Sequence, residues 1–202
     1  MALPPLPPLA GLVEALQLVP HPEGGYFRET WRAGAAPMSS KGATDPSGAV
    51  VEAHDGRGPR NTLTSIFYCI TREAPHQWWV LNKSDHVHYW HGGGALLYCV
   101  AHPDGAYEEL ALGPDIAAGQ RPQVVVPGGS YKAARLLGGA EYALIGEGVG
   151  PGFDYRDFGF VTGEELRARV PAEAYDKAKD LVRQAPADDF ESFYDKEEGG
   201  AA

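Results

Sequence analysis

A chain of 202 residues with 44% hydrophobic and 22% charged side chains has room for one well-filled core and the balance of an ordinary globular domain. Its formal charge of −10 opposes a phosphate backbone or an anionic membrane surface as partner, so nucleic acid and membrane are set aside. The 26 glycines and 17 prolines call for many tight turns, and so for many short strands.

Residues 1 to 8 are proline-rich and read as a disordered leader without the charged start of a secretion signal. Leu9, Leu12, Val13 and Leu16 then recur at helical spacing, which predicts a short amphipathic helix. "HPEGGYFRETW" follows as a turn and a strand on which Tyr26, Arg28 and Thr30 share a face. Residues 33 to 60 are small, polar and aperiodic, the pattern of a long surface loop.

Strand signals then come at short intervals: "TLTSIFYCIT", "HQWWVL", "HVHYW", "ALLYCVA", "AYEELAL", "PQVVVP", "SYKAARLL" and "EYALIGEGV". Gly, Pro, Asp and Asn clusters separate them, and no long helix interrupts them, so an all-β sandwich or barrel is expected rather than a parallel βαβ sheet. "FDYRDF" reads as a last strand, with Asp154 and Asp157 as turn and edge groups. Residues 164 to 202 follow as a tail, in which "PAEAYDKAKDLVRQA" reads as one charged surface helix.

Cys69 and Cys99 each sit in an apolar run and read as buried free thiols rather than a disulfide framework. No run of about 18 apolar residues occurs, so a soluble, cytoplasmic protein is expected. His86, His88 and His91 crowd the stretch "DHVHYWHGGG", the pattern that raises the question of a metal. His21, His54 and His102 stand in turn or loop contexts and read as solvent-exposed.

Four motifs in order, "HPEGGYFRET", the "KSD" and following His and Gly of residues 83 to 92, "VPGGSYKAARL" and "PGFDYRDF", resemble the Cupin-5 group of the cupin superfamily. The resemblance runs from about Leu9 to Phe160. It implies a double-stranded β-helix jelly roll over residues 9 to 163, similar in fold to dTDP-sugar epimerases (RmlC-like), and a homodimer, but no settled activity. It also places Val80, Asn82, His86 and Lys132 at the four positions where metal-bearing cupins carry their ligands, with Leu136 at the position of a following Asn. Valine has no donor, an amide oxygen is a poor ligand for Fe, Cu or Zn, and an ammonium repels a divalent cation. No cofactor is therefore expected.

With His86 turned inward as that placement implies, period-two alternation turns His88 and Trp90 inward and His91 outward. The same alternation puts His76, Trp78, Val80 and Asn82 on the inner face of the preceding strand. Three readings follow. In the first, His86, His88 and Lys132 carry metal-independent acid–base chemistry of the epimerase, isomerase or lyase kind on a small polar metabolite. His76, Trp78, Asn82, Trp90, Tyr68, Tyr131, Arg28 and Glu29 would line the pocket, and the resemblance implies that Glu23, in the same stretch as Arg28 and Glu29, could also place a carboxylate near it. In the second, a divalent metal held by His76, His86 and His88 serves an oxygenase or lyase. In the third, the aromatic residues bind a small molecule without turnover.

Overall fold

The computed structural model describes residues 7–33, 50–53 and 55–184. In chain order it forms α1 (Leu9–Leu16), β1 (Val19–Pro20), β2 (Tyr26–Arg32), a small hairpin of β3 (Val50–Glu52) and β4 (Pro59–Asn61), and β5 (Thr64–Thr71). The barrel continues through β6 (His76–Asn82), β7 (Asp85–Gly93), β8 (Leu96–Ala101), β9 (Tyr107–Leu112), β10 (Gln123–Val126), β11 (Tyr131–Leu136) and β12 (Tyr142–Gly150). A 3-10 turn at Tyr155–Asp157 leads into β13 (Phe158–Phe160), and α2 (Gly163–Arg169) and α3 (Ala172–Ala178) follow. All eight strands expected between Asn61 and Gly150 form, and "FDYRDF" becomes the turn and final strand.

Two antiparallel sheets face each other, one in the order β1-β2-β5-β12-β7-β10 and the other β13-β6-β11-β8-β9. The sequence explains the pairing, because β-branched and aromatic residues alternate with small or polar ones and each sheet can turn one side inward. Ile70, Leu96, Tyr98, Val100, Leu112 and Ile145 fill the space between the sheets and are almost wholly buried. α1 covers the outside of the six-stranded sheet through Leu12, which packs with Leu18, Cys69, Tyr142 and Leu144. Both cysteines are buried free thiols.

The segment after β13 differs from expectation. It is two short helices rather than one, because Pro171 favours an extended Val170 before it and ends α2 at Arg169. It is also core rather than surface: Leu166, Ala178 and Leu181 are fully buried on the outer face of the five-stranded sheet, where Trp79 donates its indole N–H to the Ala178 carbonyl at 2.8 Å. The leader reading falls outside the described residues for positions 1–6, but Pro7 accepts a hydrogen bond from the Tyr142 hydroxyl at 2.7 Å. Within the expected long loop, β3 and β4 pair with each other.

Asp154 and Asp157 do stand at the turn before the edge strand β13, but Asp157 is buried and structural rather than exposed. Its carboxylate is buried and takes two bonds from the Arg60 guanidinium, at 2.8 and 2.9 Å, with Arg57 at 2.7 Å, which pins β4 beside β13. Among the described residues no helix is long and apolar enough to cross a membrane.

Candidate functional site

β7 alternates as its sequence requires. His86 and His88 are buried on the inner face, Tyr89 and His91 are exposed on the other, and His91 marks a bulge where Trp90 pairs with Ile145 and Gly92 with Leu144. From the opposite sheet, β11 sends Lys132 inward, with only 3% of its surface exposed. β12 contributes Glu147 from the inward series Ala143, Ile145, Glu147 and Val149, whose first two members belong to the inner core.

These three side chains meet. Lys132 Nζ lies 2.6 Å from Glu147 Oε1 and 2.8 Å from His86 Nδ1, and His86 Nδ1 is hydrogen-bonded to the same Glu147 oxygen. Burial works against charge on Glu147, but Lys132, with His88 and His86, outweighs it and holds the carboxyl well below the usual range. An ionised carboxylate only accepts, so we assign the proton to His86 Nδ1; the Lys132 ammonium, itself only a donor, then bonds Glu147 alone although it lies 2.8 Å from that nitrogen. Burial, with Lys132 adding to it, lowers the His86 pKa, so the ring is neutral and its buried Nε2 is a lone pair without a partner. Behind it, His88 is kept neutral by burial, and its Nδ1 takes the Tyr98 hydroxyl at 3.1 Å.

The cavity above this cluster has about 610 Å³ of empty volume including its open mouth. Val80, Asn82, His86 and Lys132, the four positions implied by the resemblance, all line it. Glu23 also lines it, buried and hydrogen-bonded to Gln77 Nε2. Burial raises the Glu23 pKa to about 7, against the opposing pull of Lys132 and the Gln77 bond. The "PEGG" turn makes this placement feasible. Gly24 and Gly25 have positive φ, and a Cβ on either would come within 2.3 Å of the carbonyl oxygen of His76 or Cys69, so only glycine lets the turn lie against β5 and β6.

His21 is a correction. It is not a solvent-exposed turn residue but part of the cavity wall, its ring edge-on to Phe27 at 4.5 Å and Tyr68 at 5.3 Å, and burial lowers its pKa to about 3. His102 is half-buried and bonded to Glu108 at 2.8 Å. His54 lies outside the described residues.

Of the other expected lining residues, the structure brings Tyr68, Asn82 and Glu29 to the cavity. Tyr68 donates its hydroxyl to the Gly24 carbonyl at 2.7 Å, and the Glu29 carboxylate is held by Arg32 at 2.6 Å. His76 and Trp78 are not brought there. β6 carries an extra residue opposite β11: Val80 pairs with Lys132 but Gln77 with Ala134, so three steps on one strand match two on the other. This bulge breaks the alternation and turns Gln77, not His76 or Trp78, toward the cavity. Trp90 does face inward, but it packs against the inner core and donates to the Gly94 carbonyl at 3.0 Å instead of lining the cavity. Tyr131 packs on the outer face under the Arg169 guanidinium, 3.6 Å from its ring centre. Arg28 lies between Phe27 and Glu29 on β2, and both of those neighbours line the cavity while Arg28 does not.

A metal set of His76, His86 and His88 is therefore not assembled. The group that does converge is His86, His88 and Glu147, with one donor atom from each lying within 4.8 Å of the others. Two imidazoles and a carboxylate are suitable donor types. The Lys132 ammonium already holds Glu147 and lies against His86 Nδ1, so an ion taken by these donors would have to displace it from Glu147.

Sequence reasoning missed Glu147 and Gln77, while Glu23 was among the groups expected near the pocket. Glu147 was available to alternation as the lone acid in an otherwise apolar inward series. Gln77 depends on a bulge that has no period.

Residues 10–161 match the model of a family described as Cupin superfamily (DUF985). An uncharacterized protein of Saccharomyces cerevisiae is 36% identical over 184 residues, covering 88% of this chain and 87% of its own. A hypothetical protein from Leishmania major is similar in structure with a TM-score of 0.69 at 28% identity, covering 88% of this chain and 98% of its own. A protein from Shewanella oneidensis also has a TM-score of 0.69, at 27% identity, covering 89% of this chain and 100% of its own.

Proposed function

The chain belongs to the Cupin superfamily (DUF985), and from that membership and the buried cluster we infer that the barrel binds a small metabolite and moves a proton on it without a metal. The chemistry is of the epimerase, isomerase or lyase kind, at a carbon beside a carbonyl. His86 is the base. Glu147 accepts its Nδ1–H and fixes the ring, and Lys132 keeps Glu147 ionised, which leaves the Nε2 lone pair to take a proton. Glu23, with its pKa near 7, is the second group lining the cavity able to hold or return a proton near neutral pH. The observation that carries this reading is the His86–Glu147–Lys132 triangle on the wall of the cavity.

Exchange with solvent tests it. The protein is incubated in deuterium oxide with a panel of uncharged and charged cyclic ketones, keto-sugars and lactams, and loss of the proton beside the carbonyl is followed by NMR. The expected result is exchange on at least one compound that His86→Gln lowers by about 100-fold or more. Exchange that is indifferent to His86→Gln, or absent across the panel, contradicts it.

The approach of His86, His88 and Glu147 favours a second reading, in which Lys132 leaves Glu147 and the three donors take a divalent ion. Near-stoichiometric metal in the purified protein would favour that reading over the first.

A further inference from the structure

The cavity's charges pair off within the protein. Lys132 is matched by Glu147 at 2.6 Å, Glu29 by Arg32 at 2.6 Å, and the imidazoles of His21 and His86 are neutral. Glu23 has no cation in hydrogen-bond contact among the described residues, so when ionised it adds negative charge to the wall. Among the described residues the wall is thus neutral or negative, with no cation left to pair with an anionic ligand.

Two amides on the same wall are incomplete. Asn82 uses its Oδ1 to accept the Ser84 N–H at 3.0 Å, and its Nδ2 has no partner. Gln77 gives its Nε2 to Glu23, and its Oε1 has no partner. Both residues line the cavity and are at least nine-tenths buried, at 4% and 3% exposure. A buried polar atom without a partner is costly, so a donor and an acceptor are both waiting for a ligand. The lining also carries the aromatic rings of Phe27, Phe153, Tyr155 and Phe158. Phe153 stands edge-on to Tyr155 at 4.9 Å, a surface suited to a ring.

We propose that the ligand is an uncharged ring compound bearing both a carbonyl-type acceptor, for Asn82 Nδ2, and an N–H or O–H donor, for Gln77 Oε1, and that the site discriminates against the corresponding carboxylate. The idea rests on the acid–base reading above, for which it names the substrate class. A carboxylate fails on two counts: it brings no donor to Gln77, and it places a charge where no cation is free.

Matched pairs test this on the unaltered protein. Benzamide against benzoate, and nicotinamide against nicotinate, are titrated at neutral pH with heat of binding and tryptophan fluorescence as readouts. Each amide is expected to bind about tenfold more tightly than its acid or better, with Gln77→Leu and Asn82→Leu each weakening the amide by about tenfold. Equal or tighter binding of the acids overturns the proposal, as does the absence of amide binding at millimolar concentration. The outcomes separate the two readings. Acid binding with His86-dependent exchange intact removes only the ligand class, and amide binding without any exchange leaves the ligand class standing and removes the chemistry.

Discussion

Lys132 and Glu147 reach each other from opposite sheets, Lys132 on β11 and Glu147 on β12, with Nζ and Oε1 2.6 Å apart and both side chains buried. The pair closes the cavity floor and fixes the state of His86 beside it.

Breaking this pair from one side leaves an uncompensated buried charge. Lys132→Met or Glu147→Leu alone is expected to cost about 3–5 kcal/mol of stability, whereas Lys132→Met with Glu147→Leu is expected to cost clearly less than the sum. Urea unfolding of the two single variants and the double variant measures the coupling. Additive losses would mean that the two groups do not depend on each other.

Glu23 and His21 give stability opposite slopes with pH. The Glu23 pKa is raised by burial from 4.5 to about 7, so its contribution is complete below pH 4.5 and falls as pH rises toward 7, where the folded chain too releases the proton. The His21 pKa is lowered from 6.5 to about 3, so its contribution is complete above pH 6.5 and is lost as pH falls toward 3. Relative to the unaltered protein, Glu23→Gln should gain stability as pH rises from 4.5 to 7, and His21→Gln as pH falls from 6.5 to 3. Thermal unfolding across this range checks both, and parallel profiles would contradict them.

Leu181 lies in the segment that sequence reading placed at the surface, yet it is fully buried with Trp79 and Leu166 against the five-stranded sheet. Leu181→Ala is expected to cost about 2–5 kcal/mol, as a core truncation does. A change within about 0.5 kcal/mol, the usual range of a surface substitution, would show that the segment does not belong to the core.

The strands were legible because a half-buried strand writes its two faces into alternate positions, and β7 did so from His86 to Trp90. The same rule failed on β6, where one extra residue between Gln77 and Val80 reverses the faces, and nothing in "HQWWVL" marks it. Much of the site was therefore readable: His86, Lys132, Asn82, Tyr68, Glu29 and Glu23 were named, while Gln77 required the bulge and Glu147 was passed over among apolar neighbours. Burial of the last helices was hidden because Ala174 and Ala178 carry much of the contact, and alanines between charged residues look indifferent to solvent.

The state of His86 is the hinge of the account, and the nitrogen-15 shifts of its ring test it most directly. Titrated from pH 8 down to 6.5 in the labelled protein, the ring should remain predominantly neutral, as a pKa lowered by burial requires, with the proton on Nδ1 and a bare Nε2. A ring protonated on Nε2 alone, or one charged across that range, would contradict a base oriented by Glu147.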